Sequence, residues 1–376
     1  MRIALIGTAY PYRGGLASYN ERLATELLNQ GHEVILYTFS LQYPSLLFPG
    51  KTQYSEEKPP NNLNIVRTVN SINPFNWFSV GNAIKKSKPD LVIVKYWLPY
   101  MGPCFGTILR RIKRNGHTKV ITIVDNMIPH ESRPGDKIFS KYFVKPIDAF
   151  LAMSESVLSE IQLFDAHKPK ILSPHPLFDN FGKSLSKEEA LQKLNLSEEY
   201  KYVLFFGLVR KYKGLDLLLK AFANQDLRQQ KIKVIVAGEY YSDKEVYTEI
   251  IKQLELENYI IQVDKFIQDS DVKVYFSAAD LIVQPYKSAT QSGVTQIAYH
   301  FNKPMIVTDV GGLPELCPDG KVGYVVPVDP KSISSAILRF FKEEKEEEFV
   351  ENIIKEKKKY SWEILVNNLI KLFKEL

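Results

Sequence analysis

The chain opens on a short apolar run, Arg2 to Ile6, that ends at Gly7, and then changes period. From Gly14 to Gln30 the positions Leu16, Tyr19, Leu23, Ala24 and Leu27 recur at the spacing of one helical face, and Gly31 follows with the chemistry of a helix C-terminus. The alternation continues. Strands are predicted at Glu33–Tyr37, Leu63–Val66, Leu91–Val94, Lys119–Val124 and Ala149–Met153, with helices between most of them. These runs are nearly continuous in apolar residues, which is the pattern of strands covered on both faces, so they predict a parallel sheet between helical layers. Only the Pro-, Ser- and Lys-rich stretch from Gln42 to Asn62 interrupts the pattern, and it reads as a long loop.

A second series begins after the polar segment Asp179–Tyr200. Its strands fall at Tyr202–Phe206, Lys233–Ala237, Tyr259–Val263, Leu281–Gln284, Pro304–Thr308 and Gly323–Val326. The mixed-charge run Lys342–Lys359 reads as the solvated face of a helix. Trp362–Leu376 is amphipathic, with Ile364, Leu365, Leu369, Leu372 and Phe373 on one side. The fold class is therefore α/β: two Rossmann-like doubly wound parallel-sheet domains. Open sheets of this kind bind ligands outside the carboxyl ends of their strands, so the loops after Phe206, Gln284 and Thr308 become the candidate site.

Those loops carry suitable chemistry. At FFGLVRKYKG, Phe205 to Gly214, Gly207 permits a sharp turn, Arg210 and Lys213 supply cations, and Gly214 opens a helix whose positive end favours an anion. A second glycine-rich junction runs from Gln284 to Glu315, QPYKSATQSGVTQIAYHFNKPMIVTDVGGLPE. Two phosphate-competent loops in one domain point to a diphosphate-bearing ligand held between them, and a nucleotide is the natural candidate.

Composition narrows the class. A length of 376 residues calls for two domains. A net charge of +6 is too mild for nucleic-acid binding across the surface but suits anionic ligands or an anionic membrane face. Cys104 and Cys317 alone provide neither a disulfide framework nor a cysteine-rich zinc site. No stretch reaches the roughly 18 consecutive apolar residues of a membrane span, and the start lacks a signal-peptide core, so the expected location is cytoplasmic. Peripheral association with the inner membrane face is expected from WLPYMGPCFGTILRRIKR, Trp97 to Arg114. There Phe105, Ile108, Leu109 and Ile112 alternate with Arg110, Arg111, Lys113 and Arg114 in the manner of a basic amphipathic helix, with Trp97 and Tyr100 ahead of it. The bland alternative is a domain helix packed on the sheet.

PYRGGLASYNERLATELLNQGHEV, FFGLVRKYKGLDLLLKAF, KVIVAGE, AADLIVQPYKSATQSG and KPMIVTDVGGLPE together resemble glycosyltransferase family 4, over nearly the whole length. The resemblance implies the GT-B fold, two domains facing an interdomain cleft: an acceptor-binding domain 1–180, a nucleotide-sugar-binding domain 181–355, and a C-terminal helix 356–376 returning to the first domain. It implies retaining transfer of a sugar from a nucleotide-sugar donor to an acceptor hydroxyl of a glycan or lipid-linked acceptor, in cell-surface polysaccharide or glycolipid assembly, with no cofactor and no metal.

The resemblance also assigns residues. Arg210 and Lys213 match the basic pair that meets charge building on the leaving diphosphate. Lys213 falls on the family position, while the usual arginine position is held by Leu208. Gly14 and Gly15 form the loop facing the donor phosphates. Counted back from Pro304, the family's paired glutamates are replaced by Ala289 and Ile297. Donor contacts then fall to Gln291 and Gln296 and to the backbone of Thr290, Ser292, Gly293 and Val294, with Gly293 expected to leave room for the phosphates. In the first domain the family histidine position holds Asp125, and His130 is the candidate catalytic substitute; Glu131 reads as a surface charge, Asp148 as a helix-end residue and His175 as a rigid connector. A GT-B sugar-nucleotide epimerase and a non-catalytic nucleotide-sugar-binding scaffold remain as alternatives.

Overall fold

The structure, a computed structural model, describes residues 1–44, 52–129, 133–241, 243–290 and 292–376. His130, Glu131 and Gln291 lie outside the described residues, as does part of the expected Gln42–Asn62 loop. The chain forms two compact units: Met1–Pro176 joined by Tyr360–Leu376, and Leu177–Lys359.

The first unit is built on seven strands: β1 (Arg2–Ile6), β2 (Glu33–Leu41), β3 (Ile65–Asn70), β4 (Leu91–Tyr96), β5 (Lys119–Val124), β6 (Ala149–Ala152) and β7 (Lys170–Leu172). They pair in parallel in the order β3-β2-β1-β4-β5-β6-β7. The strand order reverses between β1 and β4, and β4 and β6 are buried along their whole length. Strand β3 starts two residues later than its apolar pattern suggests, and β7 has no counterpart in that pattern because it is three half-buried residues long.

The first helix, Gly15–Asn29, buries Ala17, Tyr19, Leu23, Ala24 and Leu27 and ends at Gly31, whose φ of +79° fits the expected terminator. Helix Trp362–Lys374 belongs to this unit. Ser361 caps it, its Oγ accepting from the Ile364 N–H, and Trp362, Leu365, Val366, Leu369 and Leu372 form its buried face. Ile364, expected on that face, is instead exposed, and Val366 takes its place.

The second unit repeats the scheme with β8 (Lys201–Phe206), β9 (Ile232–Ala237), β10 (Ile260–Val263), β11 (Leu281–Gln284), β12 (Met305–Thr308) and β13 (Gly323–Val326). Their order is β10-β9-β8-β11-β12-β13, again all parallel. Each strand lies within one residue of its expected start. Both sheets are doubly wound, and in the second the reversal point lies between β8 and β11, which is where a crevice for a ligand opens in such sheets.

Candidate functional site

The loops that leave β8 and β11 flank this reversal point and are tied to each other. The Lys287 N–H donates to the Tyr212 carbonyl at 2.7 Å, and the Lys287 ammonium pairs with Asp216 at 2.8 Å. Gly214, at φ +68°, passes so close to the second loop that a Cβ would stand 1.9 Å from the Pro285 carbonyl oxygen. The loop after β12 closes the group. Thr308 Oγ1 donates to the Tyr286 carbonyl, and Gly311, at φ +51°, lies where a Cβ would be 1.5 Å from the Ala289 oxygen. The paired glycines of DVGGLPE thus answer a backbone approach, and no side chain can be added at Gly311 without moving one loop or the other.

Lys213 projects into the space these loops enclose. Its Nζ lies 3.0 Å from where a Cβ on Gly207 would be, and the Val294 side chain is 3.9 Å from the same point, so all three residues meet in one small volume. Gly207 has φ +92°, a left-handed geometry that glycine adopts without strain. The ammonium lies over the Tyr286 ring at 5.6 Å. Burial pulls its pKa down to about 8, and the neighbouring Arg210 charge adds to the effect. Among the described residues no hydrogen bond or ion pair engages this ammonium. Arg210 is exposed, with its guanidinium over the Tyr241 ring at 5.2 Å. Two like charges sharing a partly desolvated corner constitute a local surplus of positive charge that an anionic ligand would relieve.

The second loop feeds helix Gly293–His300. Its first backbone N–H groups have no intrahelical acceptor, and Ser292 at the N-cap supplies no side-chain bond to them. The Ser292 hydroxyl shares a hydrogen bond of 3.3 Å with the Tyr286 hydroxyl, and Thr290, Ser292 and Val294 are buried. Gly293 departs from expectation: a Cβ there would sit 2.9 Å from the Phe178 ring, so the space it leaves is filled by that ring and not held open for phosphates. Gln296 is fully buried, and among the described residues neither atom of its amide has a partner. Such an amide is costly to leave unpaired, which marks it as a group waiting for a ligand or water. Ala289 and Ile297, at the positions of the family glutamates, are buried and apolar.

Glu239 escaped the sequence reading. It follows β9 and Gly238, is buried, and its carbonyl accepts from the Val209 N–H at 2.9 Å, which places a carboxylate-bearing residue beside the Arg210 loop. The one available signal was an acid directly terminating the apolar run KVIVAGE.

In the first unit, Gly14 has φ +95° and no described residue lies within 4 Å of its Cβ position, while Gly15 is exposed at the start of the helix. Beside this loop Asn20 Nδ2 donates to the Thr8 carbonyl, and Asn20 Oδ1 and Thr8 Oγ1 are buried without partners among the described residues. At the carboxyl end of β5, Asp125 is met by Lys95 of β4, Nζ to Oδ1 2.8 Å. The Lys95 ammonium is buried and lies 3.4 Å from the centre of the Tyr19 ring. Burial lowers its pKa while Asp125 opposes that shift. His175 completes the cluster. It packs edge-on against Tyr19, its Nδ1 donates to the Pro176 carbonyl, and burial followed by the Lys95 charge pulls its pKa down to about 3, so the imidazole is neutral. The residue read as a connector is thus part of a buried polar core, one that includes Lys95, a residue sequence reasoning passed over although it is the single charge within LVIVKY.

The basic segment is also different from its sequence pattern. Helix Gly102–Lys113 buries Phe105, Ile108, Leu109 and Ile112 completely in the unit's core, so its apolar side is not available to a membrane. Trp97 is packed edge-on against Phe39 and Phe105 and donates to the Tyr43 hydroxyl at 2.8 Å. Arg110 bonds the Gly106 and Tyr142 carbonyls, Arg111 bonds Asn82, and Lys113 pairs with Asp148, whose other oxygen accepts from the Val120 N–H; Arg114 is exposed. No described helix is long and apolar enough to cross a membrane.

Two doubly wound parallel sheets, with a basic, glycine-rich corner at the reversal point of the second, define a protein of the two-domain α/β class. Comparison makes it definite. Residues 13–174 match the model for Glycosyltransferase Family 4 and residues 186–360 that for Glycosyl transferases group 1, and the chain belongs to the family 4 glycosyltransferases of GT-B fold. An uncharacterized glycosyltransferase of Methanocaldococcus jannaschii is 24% identical over 100% of this chain and 98% of its own. The D-inositol 3-phosphate glycosyltransferase of Thermobifida fusca is 24% identical over 96% and 88%. Among solved structures, the Anabaena protein HepE in complex with UDP superimposes with a TM-score of 0.76 at 14% identity, covering 100% of both chains.

Proposed function

We propose that this glycosyltransferase takes its sugar from a nucleoside-diphosphate donor bound in the second unit and passes it, with retention, to a hydroxyl of a glycan or lipid-linked acceptor on the first, in cell-surface polysaccharide or glycolipid assembly at the cytoplasmic face. The observation that carries the reading is Lys213: a half-buried ammonium with a depressed pKa, beside Arg210 and the open N–H groups of helix Gly293–His300. When the bond between the sugar's anomeric carbon and the phosphate breaks, charge accumulates on the departing diphosphate. Fixed cations there lower the barrier without a metal. The complex of HepE with UDP supports the choice of ligand class.

Gln296 is the side chain best suited to a donor hydroxyl, since it is buried with both amide atoms unpaired among the described residues. The buried apolar residues Ala289 and Ile297 favour, as a second reading, a protein that binds a nucleotide sugar without turning it over. One experiment separates them. The protein is screened by thermal shift against UDP, GDP, ADP and CDP, and the stabilising nucleotide's sugar conjugates are then assayed for nucleoside-diphosphate release. Stabilisation with release supports transfer, stabilisation without release supports the binding protein, a converted sugar supports an epimerase, and no stabilisation by any of them overturns the donor-site assignment.

A further inference from the structure

Three helices of the first unit, Pro74–Ser87, Gly102–Lys113 and Asp136–Val144, pack side by side, the middle one touching both others. Glycines set the spacing. A Cβ on Gly81 would stand 2.7 Å from the Arg111 side chain, and one on Gly106 2.7 Å from the Tyr142 ring. The helices therefore form one continuous layer.

The outward side of that layer is unusual. Phe75 is 85% exposed and Ile138 70%, and Ile72, Phe78, Phe139 and Tyr142 are exposed as well. All but Ile72, which lies in the turn before helix Pro74–Ser87, are on the two outer helices, while the apolar side of the middle one is consumed by the core. Single exposed apolar residues mean nothing, but five of them on the two flanking helices, with Ile72 just ahead of the first, form a patch that asks for a partner. The charge pattern says which kind. Besides Lys113, which is paired with Asp148, the three helices contain Lys85, Lys86, Arg110, Arg111, Lys137 and Lys141 against the single acid Asp136, whose carboxylate accepts from the Arg133 N–H. Arg110 lies over the Tyr142 ring at 3.6 Å and Arg111 over the Phe78 ring at 5.5 Å, so cation and aromatic are presented together.

Exposed lysines are depleted in protein interfaces, whereas aromatic and aliphatic residues interspersed with lysine and arginine fit a surface of anionic headgroups with acyl chains beneath. We propose that this helical layer docks the protein on an anionic phospholipid bilayer, through Phe75, Phe78, Ile138 and Phe139 inserted at the headgroup boundary and the surrounding cations paired with lipid phosphates. The surface differs from the amphipathic helix suggested by the sequence: the middle helix contributes arginines, and its neighbours contribute the apolar residues. It bears on the lipid-linked acceptor of the proposed reaction, yet its test uses neither donor nor acceptor and so stands apart from that reading.

The full chain is sedimented with vesicles of phosphatidylcholine alone and with vesicles containing about one-third phosphatidylglycerol, at low and high salt. Binding to the anionic vesicles alone is expected, with release at high salt. Phe75→Ser with Ile138→Ser, and separately Lys137→Gln with Lys141→Gln, are each expected to weaken partitioning by about tenfold. All four positions are exposed, and unchanged melting confirms that the variants are folded. Absence of binding to anionic vesicles at low salt overturns the proposal, as does native-like binding by both variants. So does a self-association, seen by light scattering, that Phe75→Ser abolishes while vesicles retain nothing.

Discussion

Lys213 offers a test in which stability and binding should move in opposite directions. Its pKa falls from 10.5 to about 8 on folding, so the folded protein near neutral pH holds this charge at a cost of about 3 kcal/mol, or about 1–3 kcal/mol once the partial exposure of the side chain is allowed for. Lys213→Met keeps the length and apolar stem and removes the charge. The ligand-free variant should therefore be more stable than the native protein by a fraction of that amount, read as a higher midpoint in urea. The same variant should bind the stabilising nucleoside diphosphate about 1.5–3 kcal/mol more weakly, the range for a hydrogen bond to a charged group. The pH dependence has a definite sign. The unfolded chain keeps this proton up to about pH 10.5 while the folded one loses it near 8, so the unfolded state binds more protons in that interval. Native stability should gain from this group as pH rises from about 8, and the gain should be missing in Lys213→Met. Nucleoside-diphosphate affinity should decline over the same rise, because the free site loses its cation, and calorimetry near pH 8 in buffers of different ionisation enthalpy should detect proton uptake on binding. A variant that is less stable than the native protein and binds nucleoside diphosphate equally well would refute the reasoning.

Two further outcomes follow from buried geometry. Lys95→Met leaves Asp125 without its lysine and should cost about 3–5 kcal/mol in urea unfolding, whereas Lys95→Met with Asp125→Leu should cost clearly less; equal losses would show that the 2.8 Å pair is not coupled. Gly311→Ala places a methyl group 1.5 Å from the Ala289 oxygen at a left-handed backbone position and should cost more than about 2 kcal/mol while weakening nucleotide binding through the displaced loop, and a native-like midpoint with native-like affinity would show that the loops do not meet there.

What could be read from the chain alone was whatever depends on near neighbours. Leu281–Gln284 was visible as a strand because burial on both faces leaves a continuous apolar run, and the turn at Gly207 was visible because a glycine stands between such a run and a basic helix start. Periodicity shows that helix Gly102–Lys113 has an apolar side but not what covers it, and that is why a core helix resembled a membrane helix. The buried group at Lys95 was illegible for another reason: Asp125 is 30 positions away and Tyr19 and His175 are more distant still, and only the β4–β5 pairing with the first helix brings them together. Direction was the third limit. Gly293 was expected to leave room for phosphates, but a side chain there would meet Phe178, contributed by the segment that enters the second unit.

The first unit is assembled from two stretches of chain that are separated by the whole of the second. Trp362 rests on Tyr19 at 5.0 Å and lies under the Arg22 guanidinium, and Lys119 donates to the Leu376 carbonyl. During synthesis on the ribosome, residues 1–176 emerge while this covering helix does not yet exist, and Tyr19, with the apolar surface around it, waits through the translation of 183 intervening residues, 177–359. At about 5–20 residues per second that delay is on the order of ten to forty seconds. The second unit, continuous in sequence, suffers no such wait. A fragment ending at Pro176 would carry an open apolar seam, so dissecting this enzyme into separately expressed halves requires residues 360–376 to be grafted back onto the first.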